Sequence, residues 1–116
     1  MKKLVLTGAA GRLGSYLREP LSKLADQFVS SDIVEDIGNL YAGEVYVKAD
    51  LAQYEQIHEL LADADMVVHF GAIGDEAPFE TLLGPNFVGA YNIWEAAYRQ
   101  GVKRVVYASS IHAVGM

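Results

Sequence analysis

Glycines at positions 8, 11 and 14 follow directly on the apolar run KLVLT (3–7) and open a leucine-spaced stretch, LVLTGAAGRLGSYL. No other feature of the chain restricts its fold as much. A buried strand that ends in a glycine turn and passes at once into an amphipathic helix begins a strand–helix–strand unit, and such units build parallel sheets. The G-x-x-G-x-x-G spacing also has a chemical consequence. The turn is sharp, bare backbone can approach a pyrophosphate, and the helix start points its N–H groups at that anion. A Cβ at Gly8 or Gly11 would stand where phosphate or backbone must come close, and Gly14 lets the helix lie close on the strand. No Gly-Lys-Ser/Thr follows, which excludes a triphosphate loop with a phosphate-binding lysine. A dinucleotide is therefore the expected ligand, with Gly8, Gly11, Leu13 and Gly14 around its phosphates. Arg12 is either a phosphate partner or a solvated side chain at the helix start.

The rest of the chain repeats this alternation. Leu13 to about Leu24 reads as a helix with Leu13, Leu17, Leu21 and Leu24 along one face, weakened or kinked by Pro20. QFVSSD (27–32) reads as a second strand, EVYVKAD (44–50) as a third, and DMVVHFGA (65–72) as a fourth. Helices are expected over 53–61 and 79–99, the latter with Pro85 and Gly89 as weak points, and a last strand over 103–109. Strands that are apolar on both faces and alternate with helices predict an α/β fold. The expected architecture is a Rossmann-type, doubly wound parallel sheet with helices on both faces. No repeat or linker divides residues 1–116, which form one dinucleotide-binding unit.

Charge and composition narrow the function. Nine basic against fifteen acidic side chains leave a net charge of −6, which opposes phosphate backbones and anionic membranes, so no nucleic-acid partner is expected. The absence of cysteine excludes disulfides, thiolate metal sites and a cysteine nucleophile. Two lysines precede the first apolar run as in a signal peptide, but Gly8 cuts that run short. No stretch approaches the roughly 20 apolar residues of a membrane span. A cytoplasmic protein is expected. His58, His69 and His112 are too dispersed for ligand spacing, so no metal site is expected. His69, in an apolar strand, reads as a hydrogen-bonded core residue and His58 as a solvated one.

Asp32 ends the second strand, where a carboxylate can accept hydrogen bonds from adenosine ribose hydroxyls and repel a 2′-phosphate. NAD is thus expected rather than NADP; the plain alternative is a turn acid at a strand end. In order along the chain, TGAAGRLG (7–14), KADL (48–51), VVHFGA (67–72), NFVGAYNIWEAA (86–97) and GVKRVVYASS (101–110) resemble the blocks of the extended short-chain dehydrogenase/reductases. These are the NAD-dependent epimerase/dehydratase family, and the resemblance covers essentially the whole chain. It implies that Asp50 and Leu51 flank the adenine, with Asp50 accepting from the exocyclic amine. Gly71 and Ala72 would pass beneath the nicotinamide half, and Asn86 would be a mainly structural helix asparagine. Without the resemblance Asp50 is only a strand-end acid.

In a doubly wound sheet, ligands sit beyond the carboxyl ends of the strands, so the last strand carries Ser109 and Ser110 to the edge of the cofactor cleft. The resemblance makes Ser110 the serine of a Ser-Tyr-Lys catalytic set, holding the substrate oxygen that loses a proton as hydride leaves the carbon. HFGAIGDEAPFETLLGPNFVGAYNIWEAA and ASSIHAVG are similar to the uronate dehydrogenase group within the family. That implies oxidation of a hexuronate, glucuronate or galacturonate, at C1 to an aldarolactone. His112 matches a histidine of that group, although alone it reads as a surface loop residue. Ile111 departs from the asparagine expected there, and Gly74 stands where a substrate-contacting serine is expected. Both departures remove polar groups that would face substrate.

None of the seven tyrosines is followed four residues later by lysine, so the acid/base tyrosine is expected beyond Met116. The chain then reads as the N-terminal part of a longer enzyme, inactive alone and with its last strand a bare apolar edge. A nucleotide-sugar epimerase or dehydratase and a non-catalytic dinucleotide sensor are the alternatives. The 79–99 helix is apolar on more than one face (Phe87, Tyr91, Ile93, Trp94, Tyr98). One stripe covers the sheet, and the other is left for a second subunit or for the rest of the enzyme.

Overall fold

The computed structural model describes residues 2–70 and 88–107. β1 (Lys3–Thr7) leads into α1 (Arg12–Ser22), followed by β2 (Gln27–Asp32), β3 (Glu44–Lys48) and α2 (Tyr54–Leu60). β4 (Met66–His69), α3 (Gly89–Gln100) and β5 (Arg104–Tyr107) complete the described elements. The five strands form one parallel sheet in the order β3-β2-β1-β4-β5. β1 is central because it pairs on both edges, Leu4 with Phe28 on one side and with Met66 on the other.

Alternation along β1 divides the core in two. Val5 points to the face where Val29 and Val67 meet Ile57, Leu60 and Leu61 around α2 and Ile93, Ala96 and Ala97 of α3. Leu4 and Leu6 point the other way, with Phe28 and Val68, toward Leu21, Ala25 and Ile37. Successive side chains of a strand face opposite sides, so a sheet covered twice needs continuous apolar strands at its centre. The expected class and layering are both found.

Boundaries differ where local physics intervenes. α1 stops at Ser22, two residues after Pro20, and Lys23 and Leu24 bond back to the carbonyls of Pro20 and Leu21 in a tightened last turn. Pro20 is thus accommodated within the last turn of α1, which closes in i→i−3 bonds rather than breaking in the middle of the helix. Leu24 falls outside the helix and is 57% exposed, unlike Leu17 and Leu21. β3 ends at Lys48 rather than residue 50 and is an edge strand, with Val45 and Val47 exposed, so only the inner strands are apolar on two covered faces. β4 ends at His69, and β5 is described as far as Tyr107; the expected strand residues 71–72 and 108–109 lie outside the described residues. α3 begins at Gly89 and runs one residue past the expected end, closed by Gly101 at φ 71. Its left-handed turn lets the Val102 amide bond the Ala97 carbonyl at 2.9 Å. Residues 79–87 of the expected helix lie outside the described residues.

One buried ion pair ties the α1 layer to the sheet edge. Arg18 Nε donates to Glu44 Oε2 at 2.8 Å, Nη2 to Glu44 Oε1 at 2.9 Å and to the Asn39 carbonyl at 2.8 Å. Burial pushes the Glu44 carboxyl up. Hydrogen bonds from Arg18, Ser30 and the Tyr41 amide outweigh that and leave it below the usual carboxylate range.

Candidate dinucleotide site

The strand order reverses between β1 and β4, and in open parallel sheets ligands bind at such a switch, beyond the carboxyl ends of the strands. The glycine turn occupies this end. Gly8 holds φ 72, and the Gly11 amide bonds the Gly8 carbonyl at 3.0 Å. A Cβ built on Gly14 would lie 2.1 Å from the Gly8 carbonyl oxygen and 2.9 Å from its carbon. Glycine at 14 is therefore imposed by the turn's own backbone packing on α1. At Gly11 the same test gives 3.3 Å to the Gly8 oxygen, a tight but smaller demand. Gly11 caps α1 without a side-chain hydrogen bond, and the first turn has no acidic residue. The helix start is thus open, and its own first turn carries no carboxylate to repel an anion. The backbone of Arg12 and Leu13 forms that first turn.

Asp32 is drawn against this turn. Its Oδ2 accepts from the Ala10 amide at 2.9 Å and its Oδ1 from the Ile33 amide at 2.7 Å. The Ala9 amide also bonds the Ser31 carbonyl at 3.0 Å, stitching the end of β2 to the glycine turn. The carboxylate is half-buried, and each oxygen retains a lone pair beyond the amide it accepts. Asp50 and Leu51 lie just past β3. Asp50 Oδ1 accepts from the Ala52 amide at 2.9 Å, and the Asp50 amide donates to Gln56 Oε1 at 2.8 Å. The Ala49 amide bonds the Asp32 carbonyl at 3.0 Å, so the two acids end adjacent strands.

Two supports depend on partners that the sequence did not name. Asn92, buried on α3, donates its Nδ2 to the Leu51 carbonyl at 2.8 Å and so anchors the Asp50–Leu51 turn. The only signal was a polar residue between apolar ones in a helix. Thr7 and His69 meet at the ends of β1 and β4, Oγ1 to Nδ1 at 2.7 Å, and the Phe70 amide donates to Thr7 Oγ1 at 3.1 Å. His69 is buried, as expected of a core residue, and burial pushes its imidazole down to about 4. It is neutral near pH 7. His58 differs from expectation: it is half-buried, lies 5.8 Å from the Tyr54 ring, and its carbonyl accepts from Gln100 Nε2 at 2.7 Å. Gly71, Ala72, Gly74, Asn86, Ser109, Ser110, Ile111 and His112 lie outside the described residues.

Parallel strand order, two-sided layering and the glycine turn define a Rossmann-type α/β protein. The chain belongs to the NAD dependent epimerase/dehydratase family, whose model matches residues 4–116. It is 44% identical over 113 residues to a uronate dehydrogenase of Pseudomonas syringae pv. tomato, covering 97% of this chain and 41% of the relative. A uronate dehydrogenase of Agrobacterium fabrum is 40% identical over 115 residues, covering 99% and 43%. Among solved structures, a mutant uronate dehydrogenase from Agrobacterium tumefaciens complexed with NAD superposes with a TM-score of 0.88 at 39% identity, covering 94% of this chain and 41% of that one. A glucuronic acid dehydrogenase from Chromohalobacter salexigens gives 0.87 at 42% identity, covering 93% and 40%. The chain thus spans about two-fifths of the length of these relatives.

Proposed function

We propose that residues 1–116 are the N-terminal dinucleotide-binding part of an NAD-dependent uronate dehydrogenase. The complete protein oxidises glucuronate or galacturonate at C1 to the aldarolactone. The observation that carries the substrate class is the 40–44% identity to uronate dehydrogenases along essentially the whole chain. The residues present fit the dinucleotide: an open helix start follows a glycine turn at φ 72, and the Asp32 carboxylate lies against that turn.

Gly8, Gly11, Arg12, Leu13 and Gly14 hold the pyrophosphate, and Asp32 takes the adenosine ribose hydroxyls and disfavours a 2′-phosphate. Asp50 and Leu51 flank the adenine. Gly71 and Ala72 pass under the nicotinamide half, Ser109 reaches the edge of the cofactor cleft, and Asn86 is a mainly structural asparagine beside it. When bound, the dinucleotide supplies the hydride acceptor. Ser110 holds the substrate oxygen, and the proton released as C1 is oxidised passes to a tyrosine outside these 116 residues. Gly74 and His112 face the substrate, and Gly74 and Ile111 leave it fewer polar contacts than a serine and an asparagine would. No membrane or nucleic-acid partner enters this reading, and among the described residues no helix is long and apolar enough to cross a membrane. A cytoplasmic location suits a soluble sugar acid and a diffusible dinucleotide. A second copy packs through α3, where Tyr91, Trp94 and Tyr98 are exposed.

The test is NADH formation by the product of the complete gene, given NAD with glucuronate, galacturonate or neutral hexoses. NADH with the uronates alone is the expected result. A folded, NAD-binding protein that makes none returns the epimerase/dehydratase reading, whose requirement for a nucleotide-diphosphate sugar is then assayed directly.

A further inference from the structure

Tyr46 stands in the middle of β3, paired in register with Ser30 of β2. Its hydroxyl reaches further along the neighbouring strand. It is shared between the carbonyls of Asp32, at 3.0 Å, and Val34, at 2.5 Å. Those two carbonyls bracket the turn that follows Asp32. The carboxylate of Asp32 is in turn set by amides at both ends of that turn's approach, Ala10 in the glycine turn and Ile33 in the turn itself. The direction in which the carboxylate faces thus depends on the backbone of residues 32–34, and Tyr46 grips that backbone from the adjacent strand. Lys48, two residues on, pairs with Glu35 just past the same turn. Both of its partners are exposed, so that ion pair holds the turn weakly.

We propose that Tyr46 is a positioning residue for the adenosine-ribose subsite: its hydroxyl fixes the Asp32–Val34 turn so that the Asp32 carboxylate is presented ready-made to a ribose diol. The inference rests on the dinucleotide reading above. β3 is an edge strand and Tyr46 is half-buried, so the core does not need a phenol there. Removing the O–H leaves the aromatic ring in place and frees two carbonyls near the surface. The turn then samples more conformations, and a nucleotide must order it on binding, which lowers affinity without a matching loss of stability. A carboxylate that swings also repels a 2′-phosphate less consistently.

The experiment uses the complete gene product and its Tyr46→Phe variant, with ADP-ribose, NAD and NADP as ligands in calorimetric titrations and urea unfolding alongside. The loss of one hydrogen bond's ordering predicts ADP-ribose binding weakened about fivefold. The preference for NAD over NADP narrows by a similar factor, while the urea midpoint moves little. Val45→Ala, an exposed change on the same strand, is the comparison and leaves ADP-ribose affinity unaltered. Equal ADP-ribose affinity in Tyr46→Phe and the unsubstituted protein overturns the proposal. So does a loss that Val45→Ala shares, because it would come from the strand and not from the hydroxyl. If the unsubstituted protein binds no ADP-ribose, the dinucleotide reading falls first and this inference with it, a result seen before any variant is compared.

Discussion

Gly14 and His69 show how single side chains are dictated by backbone around them. Gly14→Ala places a methyl 2.1 Å from the Gly8 carbonyl oxygen, so the turn or α1 must move. Overpacking of this kind costs about 1–3 kcal/mol, and here it also disturbs the turn proposed to bind the nucleotide. Urea unfolding together with ADP-ribose titration is expected to show both losses. His69 makes stability depend on pH. Its imidazole titrates at about 4 when folded, against 6.5 as the ordinary value, so between those pH values the unfolded chain binds the extra proton. Stability therefore falls as pH drops from 6.5 toward 4, by about 3 kcal/mol in total, and is unaffected by this group above neutrality. His69→Gln, which does not titrate, is expected to flatten that part of a melting-temperature profile against pH.

Between elements, two polar ties reach across layers of the fold. Arg18 joins α1 to the first residue of β3 through Glu44, and both side chains are almost fully buried. Arg18→Met leaves the Glu44 carboxylate buried without its cation, which costs about 3–5 kcal/mol. Arg18→Met with Glu44→Gln is expected to recover part of that in urea unfolding, because no buried charge remains. Asn92 joins α3 to the turn after β3 at the Leu51 carbonyl. Asn92→Leu removes the only side-chain donor described on that carbonyl and is expected to cost about 1–3 kcal/mol and to weaken adenine-nucleotide binding in the same titrations. The strands and helices themselves were legible from periodicity, since KLVLT and MVVH are apolar at every position that the two-sided core requires. Their ends were not. Whether Leu24 belongs to a helix depends on the last turn of α1 tightening onto the Pro20 and Leu21 carbonyls, and whether Val45 and Val47 are covered depends on β3 being at an edge.

At the scale of the whole molecule, α3 carries an exposed aromatic face that the sheet does not use, with Tyr91 63%, Trp94 53% and Tyr98 85% exposed. The proposal that a second copy packs on this face predicts that Trp94→Glu shifts the complete protein toward the monomer in sedimentation equilibrium while leaving ADP-ribose affinity unchanged. Sequence by itself determined the class of this protein and the end of the sheet at which the proposed site lies. A glycine turn between a buried strand and a helix permits only a βα unit, and an acid at the end of the next strand can meet that turn only at the carboxyl side of a parallel sheet. Tertiary structure alone decided which side chains brace the turns beside the proposed site. Tyr46 and Asn92 each bond a backbone carbonyl far along the chain, 12 and 41 residues away at Val34 and Leu51, and no local pattern marks such partners. A side-chain donor looks the same in sequence whatever it bonds; only the packing of β3 on β2, and of α3 beside the turn after β3, brings the carbonyls within reach.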